Sequence, residues 1–326
     1  MTDNQKPYFY HLQNLFVASD FLPYSTQALL LAQVLSSTTS STLTCFHALE
    51  KLPASMRGIL FPYAALGSDE VEIQREIRES VESLGTKYLQ TALGEEAEKV
   101  KLKVDFSRDS MAKSILHTAS EANADLMFSG AYGTKPHTTG IIGSMAATFV
   151  AYTRIPLYLV KDPTHRGKHK KILVAFLDPS LSAQLLAWAV SFAMCYTEAD
   201  VEIVTPIVDL QACDRAGDYQ GFSVSERQTR LALERVTHRA KQAVQSLNVP
   251  FVFESHAQNL SFKHHTPIMT PTAGVLSVAE TIGADLIVLP STQPSLAVNN
   301  EIREISRRIT EYANQNCLLI PEAFLK

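Results

Sequence analysis

The strongest constraint on the fold of this chain is an internal repeat. Leu116-x-x-Ala119-x-x-x-x-Ala124-Asp-Leu126 recurs as Leu276-x-x-Ala279-x-x-x-x-Ala284-Asp-Leu286, 160 residues further on. Matching segments flank both copies. Asn14-Leu-Phe-Val-Ala-Ser-Asp20 pairs with Lys171-Ile-Leu-Val-Ala-Phe-Leu177, and Ile155-Pro-Leu-Tyr-Leu-Val160 pairs with Asn316-Cys-Leu-Leu-Ile-Pro321. A chain of 326 residues that is 46% hydrophobic can supply two cores. The repeat therefore predicts two related domains, 1–162 and 171–326, joined by a basic linker at 163–170. The junction Lys161-Asp-Pro-Thr-His-Arg-Gly-Lys-His-Lys-Lys171 carries Pro and Gly between two strand-like runs and reads as an exposed linker with solvated charge. Nucleic-acid contact, the alternative for this basic stretch, lacks the interleaved aromatics that base stacking uses.

In the first half, apolar runs near 14–18, 43–48, 100–106, 125–129 and 156–160 alternate with helical patterns near 25–37, 69–92, 110–122 and 144–153. Short buried runs alternating with helices predict an α/β fold, a parallel sheet with helices on both faces. Asp69-Glu-Val-Glu72 supplies an acidic helix start. The second half predicts strands near 171–177, 201–205, 249–254, 285–289 and 317–320 and a long helix over 225–247, with a long lid-like loop between 255 and 273.

Glycines cluster at one place in the first half. After the run Ala124–Ser129 the chain reads Gly130-Ala-Tyr-Gly133, and after nine intervening residues Gly143-Ser144 opens a predicted helix. Unpaired N–H groups at a helix start favour an anion, and glycine removes the Cβ that would block its approach. A tight turn without a ligand is the rival reading. The second half carries Pro290-Ser-Thr-Gln-Pro-Ser-Leu-Ala-Val-Asn-Asn-Glu-Ile-Arg303 at the same place, with no glycine. A copy built without these glycines suggests that the fold does not need them, which favours a ligand.

Taken together, Val17-Ala-x-Asp20, Phe46-His-Ala48, Ala124-Asp-Leu126, Gly130-x2-Gly133-x9-Gly143-Ser144 and Ile155-Pro-Leu-Tyr-Leu-Val160 resemble the universal stress protein (UspA-like) family. The resemblance runs once through each half, so that the chain looks like a tandem two-domain member. It implies two flavodoxin-like, adenine-nucleotide-hydrolase-like domains, each a five-stranded parallel sheet of order 3-2-1-4-5. It also implies ATP, or ADP or AMP, as the cofactor, with Mg2+ as a candidate companion. On the family's pattern Asp20 faces the adenosine part of the nucleotide, while the backbone of Ala48 meets adenine. Gly130 and Gly133 flank ribose and phosphates, and Gly143 with Ser144 presents N–H groups and a hydroxyl to the phosphates. Ala18, Ser19 and Met145 complete the expected nucleotide-binding set. Taken alone, Asp20 also fits a helix-start turn, while Lys135 and His137 fit a solvated loop. Leu177 stands where Asp20 stands in the first half, next to Asp178, and Pro290 removes an N–H. The second half is therefore expected to have a degenerate nucleotide motif.

Net charge is −4, which gives no broad attraction for nucleic acid or acidic membranes. The N-terminal residues lack a signal-peptide plan and no apolar run approaches a membrane span, so a cytoplasmic location is expected. Cys45, Cys195, Cys213 and Cys317 are widely spaced and read as buried reduced thiols. His256, His264 and His265 match no standard metal-ligand spacing. Ser19-Asp-Phe-Leu-Pro-Tyr-Ser25 holds neither a Gly-rich pyrophosphate loop nor a His-x-Gly-His motif, and no Walker loop is present. These readings favour a nucleotide-dependent regulator or sensor over a slow ATPase or adenylyl-transfer enzyme. A third class is an interaction scaffold in which the terminal strands pair the domains, Leu157-Tyr-Leu159 suiting such an edge. The expected partners are the adenine nucleotide and the other domain of the same chain, with a homodimer as a further option.

Overall fold

The computed structural model describes residues 12–51, 70–107, 110–133, 142–164, 169–177, 181–195, 200–204, 206, 263–265, 267, 269–291 and 300–325. The first half runs β1 (Asn14–Ala18), α1 (Pro23–Thr39), β2 (Thr42–Leu49), α2 (Glu70–Leu93), β3 (Val100–Phe106), α3 (Met111–Glu121), β4 (Leu126–Gly130), α4 (Ser144–Tyr152) and β5 (Leu157–Val160). The second half follows with β6 (Lys171–Ala175), α5 (Ser182–Cys195), β7 (Asp200–Val204), β8 (His264–His265), α6 (Pro271–Ile282), β9 (Leu286–Ser291), α7 (Asn300–Tyr312) and β10 (Asn316–Pro321).

Among the described residues ten strands form one sheet in the order β3-β2-β1-β4-β5-β10-β9-β6-β7-β8. Each set of five is parallel and has the order 3-2-1-4-5, the second set running across the sheet in reverse. At the centre β5 meets β10 antiparallel, with Tyr158 opposite Leu318. Side chains alternate across the sheet as a strand requires. Leu15 and Val17 join a core with Ala28 and Leu29 of α1, Leu89 of α2 and Leu185 of α5. Phe16 and Ala18 join the opposite core with Ile115 of α3, Phe149 of α4, Val275 of α6 and Ile309 of α7. Helices thus cover both faces. Among the described residues no helix is long and apolar enough to cross a membrane.

The repeated Ala-Asp-Leu motif has the same structural job in each half. Asp125 Oδ2 accepts from the backbone N–H groups of Gln13 and Asn14 at 2.7 and 2.9 Å, at the start of β1. Asp285 Oδ2 accepts from Lys170 and Lys171 at 2.6 and 2.9 Å, at the start of β6. Just before each Asp the chain leaves its helix through a left-handed residue, Asn123 with φ 49° and Gly283 with φ 64°. Both residue types tolerate that region. The motif is a brace that fixes one strand against its neighbour.

Two expectations are corrected. The stretch 255–273, read as a loop, contains a strand: β8 is His264–His265, paired with Ile203 and Val204. The 249–254 run and the 225–247 helix lie outside the described residues. The junction is also not wholly exposed. Lys161 and His169 are buried, at 3% and 1% exposure. Lys161 Nζ donates to the carbonyls of Glu311 and Ala313 at the end of α7, where carbonyls lack helical partners and attract a cation. Burial holds its ammonium pKa below the usual lysine value. His169 Nε2 is 3.0 Å from the Tyr158 hydroxyl.

Candidate functional site

The strand order of the first half reverses between β1 and β4, and in such sheets a crevice opens beyond the C-terminal ends of those strands. Here it is a cleft of about 190 Å3. Ala18, Ser19, Asp20, Ala48, Gly130, Gly133, Gly143, Ser144 and Met145, the residues selected from the sequence, all line it. Lys135 and His137 lie outside the described residues.

One wall is the β1–α1 turn. The Ser19 N–H continues the sheet by donating to Phe46 O at 2.9 Å. Phe21 then takes φ 61°, a costly conformation for a bulky side chain. Its ring lies between His47, stacked at 4.5 Å, and Tyr88 at 4.8 Å. Asp20 Oδ1 accepts from the Ser25 hydroxyl at 2.6 Å and from the Leu22 N–H at 3.1 Å. Asp20 therefore does organise the start of α1. Its second oxygen faces the opposite loop, since a Cβ built on Gly133 would sit 3.8 Å from Oδ2.

The opposite wall is the β4–α4 segment. A Cβ on Gly130 would lie 2.8 Å from Tyr24 Cβ and 3.1 Å from Ser25 N, so the first turn of α1 rests on this glycine's backbone. Gly143 is the N-cap of α4; its N–H donates to Ala131 O at 2.8 Å, and a Cβ there would stand 3.3 Å from the same oxygen. The argument that the fold does not need these glycines is thus corrected for Gly130. Packing alone requires it in the first half.

Anion-binding capacity lies just past Gly143. No side chain caps α4, and its first internal bond runs from the Ala147 N–H to Gly143 O. The N–H groups of Ser144, Met145 and Ala146 belong to the first turn, where the helix dipole is positive, and all three residues line the cleft. Met111 and Ile115 of α3 and Phe149 of α4 make an apolar side. Among the described lining residues Asp20 is the one carboxylate, and none is Lys or Arg. Below the cleft Cys45 is buried, and burial pushes its thiol up to about 12.

The sequence reading missed Ser25, His47, Tyr132, Met111 and Ile115 as lining residues. His47 was detectable, since it sits beside Ala48 at the end of β2. Tyr132 lies inside the glycine motif itself, while Ser25, Met111 and Ile115 depend on how α1 and α3 pack. In the second half Leu177 packs against apolar core residues, and Pro290 is buried in β9 opposite Ile320. Asp178, Cys213, Asp214 and His256 lie outside the described residues. His265 Nε2 contacts the Glu202 carboxylate at 2.6 Å. Among the described residues no group of three or more metal-ligating side chains is assembled.

Fold and cleft define a doubly wound α/β protein with a crevice at a topological switch point. Residues 11–161 match the universal stress protein family. The chain is similar in fold to a universal stress protein from Archaeoglobus fulgidus, at TM-score 0.62 and 14% identity over 95% of this chain and 99% of that one. It is also similar to a functionally unknown protein from Pseudomonas aeruginosa PAO1, at TM-score 0.57 and 15% identity over 97% and 95% of the two chains. No curated protein matches the chain.

Proposed function

We propose that the first-half cleft binds an adenine nucleotide, ATP or its di- or monophosphate, and that the protein works as a nucleotide-dependent regulator rather than a fast catalyst. One observation carries this reading: a single cleft joins a carboxylate at the end of β1 to the uncapped N-terminus of α4. Asp20 Oδ2 accepts hydrogen bonds from ribose hydroxyls or an adenine amine. Ala18, Ser19 and the Ala48 backbone border the base, and Gly130 and Gly133 leave room for the sugar. The N–H groups of Ser144, Met145 and Ala146 and the Ser144 hydroxyl hold phosphate. A Mg2+ ion would arrive with the phosphates, because Asp20 is the one carboxylate in the described lining.

Chemistry is slow or absent in this reading. Asp20 is bound to the α1 start at the adenosine end, and His47, the one histidine of the described lining, stands beside Ala48 at that same end. Nucleotide instead biases conformation by binding one state better than another. The second half, 171–326, is a degenerate copy paired to the first through β5 and β10, and the cytoplasm is the expected setting.

Nucleotide content of freshly purified protein and calorimetric titration test the proposal, with Gly133→Leu as the blocked variant. Among the described residues a Cβ at Gly133 meets only Asp20 Oδ2, at ordinary contact distance, so the substitution is expected to fill the cleft without disturbing the fold. Wild type should bind ATP, ADP or AMP, and Gly133→Leu should lose at least about tenfold, equivalent to ~1.4 kcal/mol. Absence of adenine-nucleotide binding by wild type would sink the reading.

A further inference from the structure

The ring of His47 is held more firmly than a lining residue needs. Its Nδ1 lies 2.8 Å from the Ser19 carbonyl oxygen. A carbonyl only accepts, so the hydrogen sits on Nδ1 and the neutral ring carries its lone pair on Nε2. The stack on Phe21, with ring planes only 15° apart, fixes the ring a second time. Phe21 is itself kept at φ 61° and braced on another side by Tyr88. Among the described residues Nε2 makes no hydrogen bond. A half-buried acceptor of fixed orientation therefore stands in the cleft, beside Ala48 and close to the turn that carries Asp20.

We propose that His47 is a ligand-contacting, specificity-determining residue of this cleft, accepting through Nε2 a hydrogen bond from a donor on the nucleoside. The proposal rests on the nucleotide reading above and adds to it a rule of selection. Asp20 and His47 are both acceptors, so the nucleoside side of the cleft rewards N–H and O–H groups. A ligand that presents a carbonyl or nothing at that point leaves Nε2 desolvated and unpaired. The donor is either the exocyclic amine of adenine or a ribose hydroxyl, and both are the same chemistry to Nε2.

The test is calorimetric titration of wild type with adenosine monophosphate, inosine monophosphate, which replaces the amine by an oxygen, and 2′-deoxyadenosine monophosphate, which lacks a hydroxyl. Wild type should bind adenosine monophosphate about tenfold more tightly than one of the two analogues, and which one identifies the donor. His47→Asn places an amide N–H where Nδ1 stands, keeps the bond to Ser19, and removes Nε2. It should melt close to wild type while its discrimination falls to about one. His47→Gln, whose amide reaches the Nε2 position, should restore part of the preference. Equal binding of all three nucleotides by wild type, or an Asn variant that discriminates as wild type does, overturns the proposal for His47 alone. Failure of wild type to bind any of them overturns the nucleotide reading, and the proposal for His47 falls with it.

Discussion

Gly130 and Gly133 lie three residues apart in one glycine motif, yet the structure assigns them opposite sensitivities. Gly130→Ala puts a methyl 2.8 Å from Tyr24 Cβ and 3.1 Å from both Ser25 N and Tyr24 C. Two of those atoms are backbone, so no rotamer change relieves the overlap, and the first turn of α1 must move off the sheet. Overpacking of this kind costs typically ~1–3 kcal/mol. Gly133→Ala meets nothing nearer than Asp20 Oδ2 at 3.8 Å. It should be neutral, or stabilise by up to ~1 kcal/mol through a less flexible unfolded chain. In thermal melts followed by far-ultraviolet circular dichroism, without nucleotide, Gly130→Ala should drop Tm by several degrees, at roughly 2–4 °C per kcal/mol for domains of this size. Gly133→Ala should match wild type. Moving α1 also moves Ser25 and with it the Asp20 carboxylate, so Gly130→Ala should weaken ligand binding as well. A Gly130→Ala protein as stable as wild type would refute the packing argument. An equal loss in Gly133→Ala would show that both glycines serve the turn and not the cleft.

Two more outcomes follow from the environment of titrating groups. Cys45 and Cys317 are fully buried, and burial raises their thiols to about 12 and about 11. Native protein at about pH 8 should leave both unalkylated by iodoacetamide in peptide mass mapping, and denaturant should expose both; labelling of either in the native state contradicts the assigned packing. On α7, the hydrogen bond from Arg307 holds Glu304 at about 2 against the ordinary 4.5, with Arg308 adding to it. A folded pKa lowered in this way gives stability that is present above about 4.5 and lost as pH falls toward about 2. The Glu304 side chain is 44% exposed, so solvent screening limits the loss to about 1 kcal/mol or less. Glu304→Gln should flatten this part of the acid-denaturation curve, and an unchanged curve would remove the pair from the stability account.

The strand and helix alternation was legible because parallel strands buried on both faces appear as short apolar runs, and those runs sit within a residue or two of β1 to β5. Gly130, at the end of β4, and Gly143 and Ser144, at the start of α4, were legible because strand ends and helix starts are places marked by local sequence. What escaped was set by contacts between distant segments. Gly130 carries no local sign that Tyr24, 106 residues earlier, will rest on it. Lys161 reads as a solvated linker charge until the end of α7 supplies Glu311 and Ala313 carbonyls to its ammonium. β8 spans only two residues, too few for any period to register.

Comparison of the two halves separates what the scaffold needs from what a ligand needs. Asp125 and Asp285 make matching pairs of hydrogen bonds, and Asn123 and Gly283 take matching left-handed turns. These repeated residues therefore belong to the scaffold, whatever either half binds. The halves differ at the C-terminal ends of their first and fourth strands. Asp20, whose Oδ2 faces Gly133, is answered by Leu177, partly buried against the apolar core, and Gly130 by Pro290. Gly130 is the instructive case, because its first duty is steric: it admits α1 close enough for Ser25 to hold Asp20. That closeness gives the acid its orientation. A packing requirement and the proposed binding requirement are thus met at one position in the first half, where the second half instead places Pro290 opposite Ile320 within the sheet.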